Sequence, residues 1–114
     1  MECKLSWYEV IVDPRPLLRV GGELDLDASP SLRCALADLV DRLDGGTGDV
    51  VEVDLSEVTF FGVAGYRAIE EVVRERGVIV ELCRPSRPSR RLLELLDAPD
   101  VLTPALVGSR AVRA

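Results

Sequence analysis

The sequence predicts an α/β fold in which a mixed sheet of four to five strands carries an N-terminal antiparallel hairpin and crossover helices. β-branched segments alternate with helical patterns in the order β-β-α-β-α-β-α-β. The two prolines of Asp13-Pro14-Arg15-Pro16 force a turn, so the first two strands should pair antiparallel. We expect right-handed crossover helices after the second, third and fourth strands, which makes most of the sheet parallel.

Composition limits both the domain count and the function class. A chain of 114 residues, 47% hydrophobic and 4% aromatic, fits one domain over residues 1–114 with an aliphatic core. The formal net charge of −6 argues against nucleic acid as a partner, because counterion release needs a basic face. No apolar run of about 18 residues is present, so we expect no direct membrane insertion. The first residues lack a signal-peptide layout, and we expect a cytoplasmic location.

Chemistry-bearing residues are sparse. The chain has no histidine, which leaves zinc sites and histidine-based catalysis unsupported. Its three cysteines are odd in number and widely spaced, as expected of reduced thiols. Cys34 and Cys83 are interpreted as small core residues. We therefore predict a chain without catalytic residues, metal or cofactor.

The first two strands are expected over residues 5–12 and 17–24. Gly21-Gly22 indicates a bulge or a close backbone approach late in the second strand. The first strand should lie at the start or the edge of the sheet.

A helix is predicted over residues 29–43, where apolar residues recur with a spacing of three and four. Asp27 or Ser29 is expected to cap it, and Pro30 suits its first turn. The segment Asp44-Gly45-Gly46-Thr47-Gly48 ends it.

The clearest pattern runs from Asp49 to Gly77. A β-branched run at residues 50–53 leads through residues 54–56 into Val58-Thr59-Phe60-Phe61. A helix should follow from about Val63 to Arg76, with Gly77 as its C′ residue. The Gly62 to Gly65 loop then presents unpaired N–H groups at the positive end of a helix, which predicts a docking site.

The last third of the chain holds shorter elements. Residues 78–83 are predicted to form a strand buried on both faces, because the run is apolar except for Glu81. Residues 89–97 should form a short helix that Pro99 stops, and residues 101–107 a final strand that Pro104 weakens.

Three segments together resemble a known family. They are Gly22-Glu23-Leu24-Asp25, Val53-Asp54-Leu55-Ser56-Glu57-Val58-Thr59-Phe60 and Arg91-Leu92-Leu93-Glu94-Leu95-Leu96. With the small-residue loop ending at Gly65, they resemble the STAS domains of bacterial anti-anti-sigma factors, also called anti-sigma factor antagonists. The resemblance covers nearly the whole chain and implies a STAS-like fold.

The resemblance implies a regulatory protein-binding module and not an enzyme. Such antagonists bind an anti-sigma factor that is also a serine kinase, and this frees a sigma factor for transcription. Phosphorylation of a serine immediately before the loop glycine switches them off. Here that position is Ala64, which has no hydroxyl, and the preceding acidic position is Gly62. The partner-binding residues implied are Asp25, Gly62, Val63, Ala64, Gly65 and Arg67.

Several features have a simpler interpretation beside a functional one. Asp25 and Asp27 are more readily a helix cap than a metal site. Ser56 and Thr59 can satisfy backbone groups between strand and loop, or serve as alternative phosphate acceptors. The cluster of Arg84, Arg87, Arg90 and Arg91 can be a solvated face or can meet an acidic partner.

Two other function classes remain beside the anti-sigma factor antagonist. One is a STAS subunit or adaptor of another assembly, such as an ABC-type lipid transporter or a stress-signalling complex. The other, a small-molecule enzyme, is the least favoured, because no nucleophile–base pair is visible. The sequence makes no prediction of oligomeric state.

Overall fold

The computed structural model describes residues 6–43 and 49–107, and within them a five-stranded sheet lies with three helices. The elements in chain order are β1 Trp7–Ile11, β2 Leu17–Leu24, α1 Ser29–Asp41, β3 Val50–Phe61, α2 Val63–Arg76, β4 Ile79–Cys83, α3 Arg87–Leu95 and β5 Val101–Leu102. This order confirms the predicted alternation of strands and helices.

The sheet is mixed, and its strands lie in the order β1-β2-β3-β4-β5. The predicted antiparallel hairpin is confirmed for β1 and β2, and β3 runs parallel to both β2 and β4. β5 runs antiparallel to β4, so the prediction of a crossover after the fourth strand was wrong. The reason is that α3 returns the chain only to the carboxyl half of β4, where the Leu82 N–H donates to the Asp100 carbonyl at 2.7 Å.

The bulge predicted at Gly21-Gly22 is present in β2. The register against β3 shifts between Arg19 and Gly21 and again after Gly22, whose φ of 94° is a left-handed value that favours glycine. A Cβ on Gly21 would lie 2.3 Å from Nε1 of Trp7. Gly21 therefore leaves room for the indole of β1.

β3 is one continuous strand of twelve residues. Its parallel pairing with β2 continues to Leu24 opposite Phe61. This ladder supplies backbone partners that override the local turn preference of Asp54 and Ser56.

α1 begins at Ser29 without a side-chain cap, so the prediction of Asp27 or Ser29 as the cap was wrong. Asp25 takes this part instead: its Oδ1 accepts from the Ala28 N–H at 3.0 Å, and its carbonyl accepts from the Ser29 N–H. Pro30 lies in the first turn as predicted. The helix ends at Asp41, two residues before the predicted end, and the glycine-rich segment 44–48 lies outside the described residues.

Both α1 and α2 pack on one face of the sheet. The side of α2 that faces the sheet is buried and includes Tyr66, Ile69, Val72 and Val73. Cys34 is exposed, so its assignment to the core was wrong. It follows Arg33 and lies on the side of α1 that faces away from the buried Leu32 and Leu36. Cys3 lies outside the described residues.

Among the described residues, neither α1 nor α2 covers the opposite face of the sheet, which carries charged side chains. Burial alternates along β4, where Val80 and Leu82 are buried while Glu81 and Cys83 are half-buried. The prediction of a strand buried on both faces was therefore wrong. An uninterrupted apolar run does not distinguish one covered face from two.

α3 begins at Arg87, two residues before its predicted start. Ser86 caps it, with its Oγ accepting from the Ser89 N–H at 3.3 Å. The final segment is a strand only at Val101–Leu102. From Pro104 to Val107 it is a helical turn, which Thr103 caps by accepting from the Leu106 N–H.

Candidate partner-binding site at the start of α2

A single residue, Gly62, joins β3 to α2. Its backbone is extended, with φ −98° and ψ 171°, and its carbonyl accepts the first helical hydrogen bond from Tyr66 at 3.2 Å. Val63, Ala64 and Gly65 are thus the first turn of the helix. The predicted helix start at Val63 is confirmed, so the segment named above as the Gly62 to Gly65 loop is one extended residue followed by the first helical turn.

This first turn has no side-chain cap. Its N–H groups lie at the positive end of the helix macrodipole and are oriented toward whatever contacts the helix end. Val63 is 43% exposed, and Arg67 lies one turn further along the same helical face, also exposed. Ala64, which lies between Val63 and Arg67 in the sequence, is half-buried. The turn therefore combines apolar contact, free donors and one cation.

Gly65, which was predicted to bind a partner, packs closely against the end of β2. It is buried, and a Cβ built on it would lie 2.8 Å from the Leu24 carbonyl oxygen. The Gly62 N–H donates to the same oxygen at 3.0 Å. Gly65 thus allows the start of α2 to pack against the end of β2, and it offers no side chain to a partner.

Asp25 lies at the same edge of the sheet because it follows Leu24, which is bonded to Gly62. It is half-buried, and its carboxylate accepts from the Ala28 N–H. This supports the interpretation of Asp25 as a capping residue. Its position is consistent with the rim of a surface centred on the first turn of α2.

An apolar groove, which was not predicted from the sequence, lies between the start of α2 and α3. Its volume is about 400 Å³. It is lined by Phe60, Phe61, Gly62, Val63, Pro88, Arg91, Leu92 and Leu95. Phe60 is 49% and Leu95 75% exposed. Two signals were available: Phe60, which strand alternation places on the face opposite to the buried Phe61, and the excess of leucines on a helix as short as α3.

The opposite face of the sheet carries an ionic cluster centred on Asp54. This carboxylate is buried, with 1% of its side chain exposed, and it accepts from the Arg84 guanidinium and from the Ser56 N–H at 2.9 Å. Arg19 lies 3.6 Å away through Nε and also pairs with Glu9. Burial opposes ionisation of Asp54, but the hydrogen bonds from Ser56 and Arg84 outweigh it and hold the pKa below its usual range.

Potential metal ligands occur together on this face. Single ligand atoms of Glu52, Glu81 and Cys83 lie within 4.8 Å of one another. Burial, the hydrogen bond to Glu52 and the nearby carboxylates raise the pKa of the Cys83 thiol to about 11. Arg15 pairs with Glu52 at 3.2 Å. Because metals bind the thiolate, a metal ion at this cluster would have to displace the proton of Cys83.

Comparison with known proteins identifies the family. A family model described as "Mlab, STAS domain" matches residues 10–106. The chain therefore belongs to the STAS domain family, which confirms the resemblance seen in the sequence. No curated protein matches the chain.

Two solved structures are similar. The anti-sigma factor antagonist SpoIIAA in its unphosphorylated form is 16% identical, with a TM-score of 0.58 over 80% of this chain and 81% of SpoIIAA. Mglu is 26% identical over 73% of this chain, with a TM-score of 0.53, and the match covers 20% of Mglu. The similarity to SpoIIAA confirms the STAS fold.

Within residues 6–43 and 49–107, no helix has enough consecutive apolar residues to span a membrane.

Proposed function

We propose that this protein is a noncatalytic anti-sigma factor antagonist that binds a serine-kinase-like anti-sigma factor in the bacterial cytoplasm and thereby controls sigma-factor-dependent transcription. The observation that carries the proposal is the exposed, uncapped first turn of α2, with Ala64 where the family has its phosphate acceptor. The predicted contact residues Asp25, Val63, Ala64 and Arg67 all belong to this edge or to the first two turns of α2.

The chemistry of the turn supports protein binding. Val63 contributes apolar area, the free N–H groups donate hydrogen bonds to carbonyl or carboxylate oxygens of the partner, and Arg67 pairs with an acidic side chain. Ala64 has no hydroxyl to receive phosphate. Binding therefore depends on protein levels or on the partner, and not on a phosphate at this position.

Binding to the anti-sigma factor encoded nearest to the gene tests the proposal. Ala64→Glu places a carboxylate in the interface, where an uncompensated buried charge costs several kcal/mol and attraction to the helix end returns only about 0.3–1 kcal/mol. Calorimetry should show a loss of affinity of at least about a hundredfold. Ala105→Glu, at an exposed alanine in the last helical turn, is the matched control. Unchanged affinity in folded Ala64→Glu would place the interface elsewhere.

The similarity to Mglu favours a second candidate. The matching segment is 20% of Mglu, so a related domain occurs inside a longer protein. A STAS adaptor or subunit of another assembly, such as an ABC-type lipid transporter or a stress-signalling complex, fits that arrangement. Affinity purification from native lysate with mass spectrometry separates the two: co-purifying permease and ATPase subunits support the second candidate, and a sigma-regulating kinase supports the first.

A further inference from the structure

The surface beside the proposed interface is a groove with apolar walls and one charged wall residue. Phe60 and Val63 form one side, and Leu92 and Leu95 of α3 form the other. Arg91 is the only charged residue among those lining it. The groove therefore differs from the rest of the surface of a chain whose net charge is −6.

Two arginines and the start of α2 contribute positive charge at or beside the groove. Arg91 is exposed, and so is Arg67, which shares a helical face with Val63. Neither forms a salt bridge with another of the described residues. The uncapped first turn of α2 adds the positive end of its macrodipole at the same place.

We propose that the groove formed by Phe60, Val63, Leu92, Leu95 and Arg91 holds a segment of a partner protein that carries bulky aliphatic side chains flanked by Asp or Glu. This inference rests on the proposed function, because it specifies which part of the partner binds beside the first turn of α2. The aliphatic side chains enter the groove of about 400 Å³. The flanking carboxylates pair with Arg91 and Arg67 and approach the free N–H groups of Val63 and Ala64.

The charge pattern decides which occupant fits. A basic segment or a second basic surface would bring like charges against Arg91 and the helix end, which costs affinity. A purely apolar segment would leave Arg91 partly desolvated without an anion. A segment with both aliphatic and acidic side chains supplies apolar contact to the walls of the groove and a carboxylate to Arg91.

A displayed library of random dodecamer peptides tests this without any knowledge of the natural partner. The full-length protein is the target, and binding of the selected peptides is then measured by fluorescence anisotropy. We expect a consensus of Leu, Ile or Phe beside Asp or Glu. A consensus rich in Lys or Arg, or no enrichment, would overturn the proposal.

Two variants with matched controls locate the bound peptide. Leu95→Glu should weaken binding at least about tenfold, and Arg91→Glu about five- to tenfold with a reduced salt dependence. The control for the first is Leu26→Glu, since Leu26 is also 75% exposed but does not line the groove. The control for the second is Arg90→Glu, since Arg90 is the neighbouring exposed arginine and lines a different cavity, on the side of β4 and Asp97. Equal losses in a variant and its control would overturn the proposal.

The result also separates this inference from the proposed function. If Ala64→Glu abolishes binding to the anti-sigma factor while Leu95→Glu and Arg91→Glu leave it unchanged, the groove is not used and the proposed function stands. If the anti-sigma factor does not bind at all but the peptides behave as expected, the groove is a docking site and the proposed function is wrong.

Discussion

The carboxylate of Asp54 accepts a hydrogen bond from the guanidinium of Arg84, which follows β4 directly and holds a positive φ of 45°. The pair ties the first residue after β4 to the middle of β3. Asp54 is buried and Arg84 is 67% exposed, so one end of the ion pair lies in a protein environment and the other in water.

Asp54→Asn should destabilise the fold by about 1–2 kcal/mol at pH 7, because it removes the charge from these hydrogen bonds while preserving shape. The folded-state pKa of Asp54 is lowered, so its contribution is present above the unfolded value of about 3.9 and is lost as the pH falls through the folded value. The difference between wild type and variant should therefore shrink below about pH 4. Urea unfolding followed by circular dichroism measures both. A difference that is equal at pH 7 and pH 2 would contradict this account.

Gly65→Ala should destabilise the protein by about 1–3 kcal/mol, although alanine is the better helix former, because the new methyl group meets the Leu24 carbonyl, which is backbone and cannot rotate away. Gly62→Ala is the control. Its methyl would meet chiefly the exposed ring of Phe60 at 3.1 Å, so its cost should stay below about 1 kcal/mol. Thermal unfolding of the two variants ranks them. A stabilised Gly65→Ala would show that α2 does not pack this closely on β2.

Cys83 should react slowly with iodoacetamide at pH 8, because its pKa of about 11 leaves little thiolate. Cys34 is exposed on α1 and should be modified before Cys83. Glu52→Gln removes a carboxylate that raises the pKa, so it should accelerate alkylation of Cys83. Peptide mapping by mass spectrometry against time gives the rates at each site. Faster modification of Cys83 than of Cys34 in the wild type would argue against a raised pKa.

Incubation with ATP and the cognate anti-sigma kinase should leave residue 64 without phosphate, because Ala64 has no oxygen to accept it. Ala64→Ser restores a hydroxyl in the first turn of α2, where a phosphate of about −1.5 to −2 charges lies near free N–H groups but obstructs a bound kinase. Intact mass and phosphopeptide mapping follow the reaction. Gly62 in place of the family's acidic residue can still prevent recognition of the new serine, so Gly62→Asp combined with Ala64→Ser is the second variant.

Ser56 and Thr59 provide the contrary outcome for that experiment. Both are exposed on β3, so both hydroxyls are accessible to a kinase. Stoichiometric phosphate on either one, with loss of partner binding, would show that the phosphorylation switch has moved to that residue. The interpretation that Ala64 abolishes the switch would then be wrong.

The sequence predicted the larger elements well because their signals are local. The boundaries of β2 and α2 agree with the prediction at both ends, since a proline turn precedes the first and Gly77 ends the second in a left-handed conformation. The bulge at Gly21-Gly22 was predictable for the same reason: only glycine suits a φ of 94°.

The errors concern features that depend on tertiary contacts. The direction of β5 comes from where α3 ends. The choice of Asp27 or Ser29 as the cap was wrong because the turn before α1 gives that role to Asp25, the other aspartate interpreted as a helix cap. The groove was missed because Phe60 and Leu95 are 35 positions apart and meet only in the fold.

β4 pairs with β3 only along Val50–Asp54, whereas β3 continues for seven more residues to Phe61. Beyond that point the chain remains bonded to β3 once, from the Ser86 N–H to the Leu55 carbonyl at 3.2 Å, and then turns into α3. The helix thus takes the place that a longer β4 would occupy. Each residue added to β4 would extend the ladder by about 3.3 Å toward Phe61 and displace α3. The size of the proposed groove is therefore governed by the shortness of one strand, so insertions after Cys83 should change which segments the groove accepts.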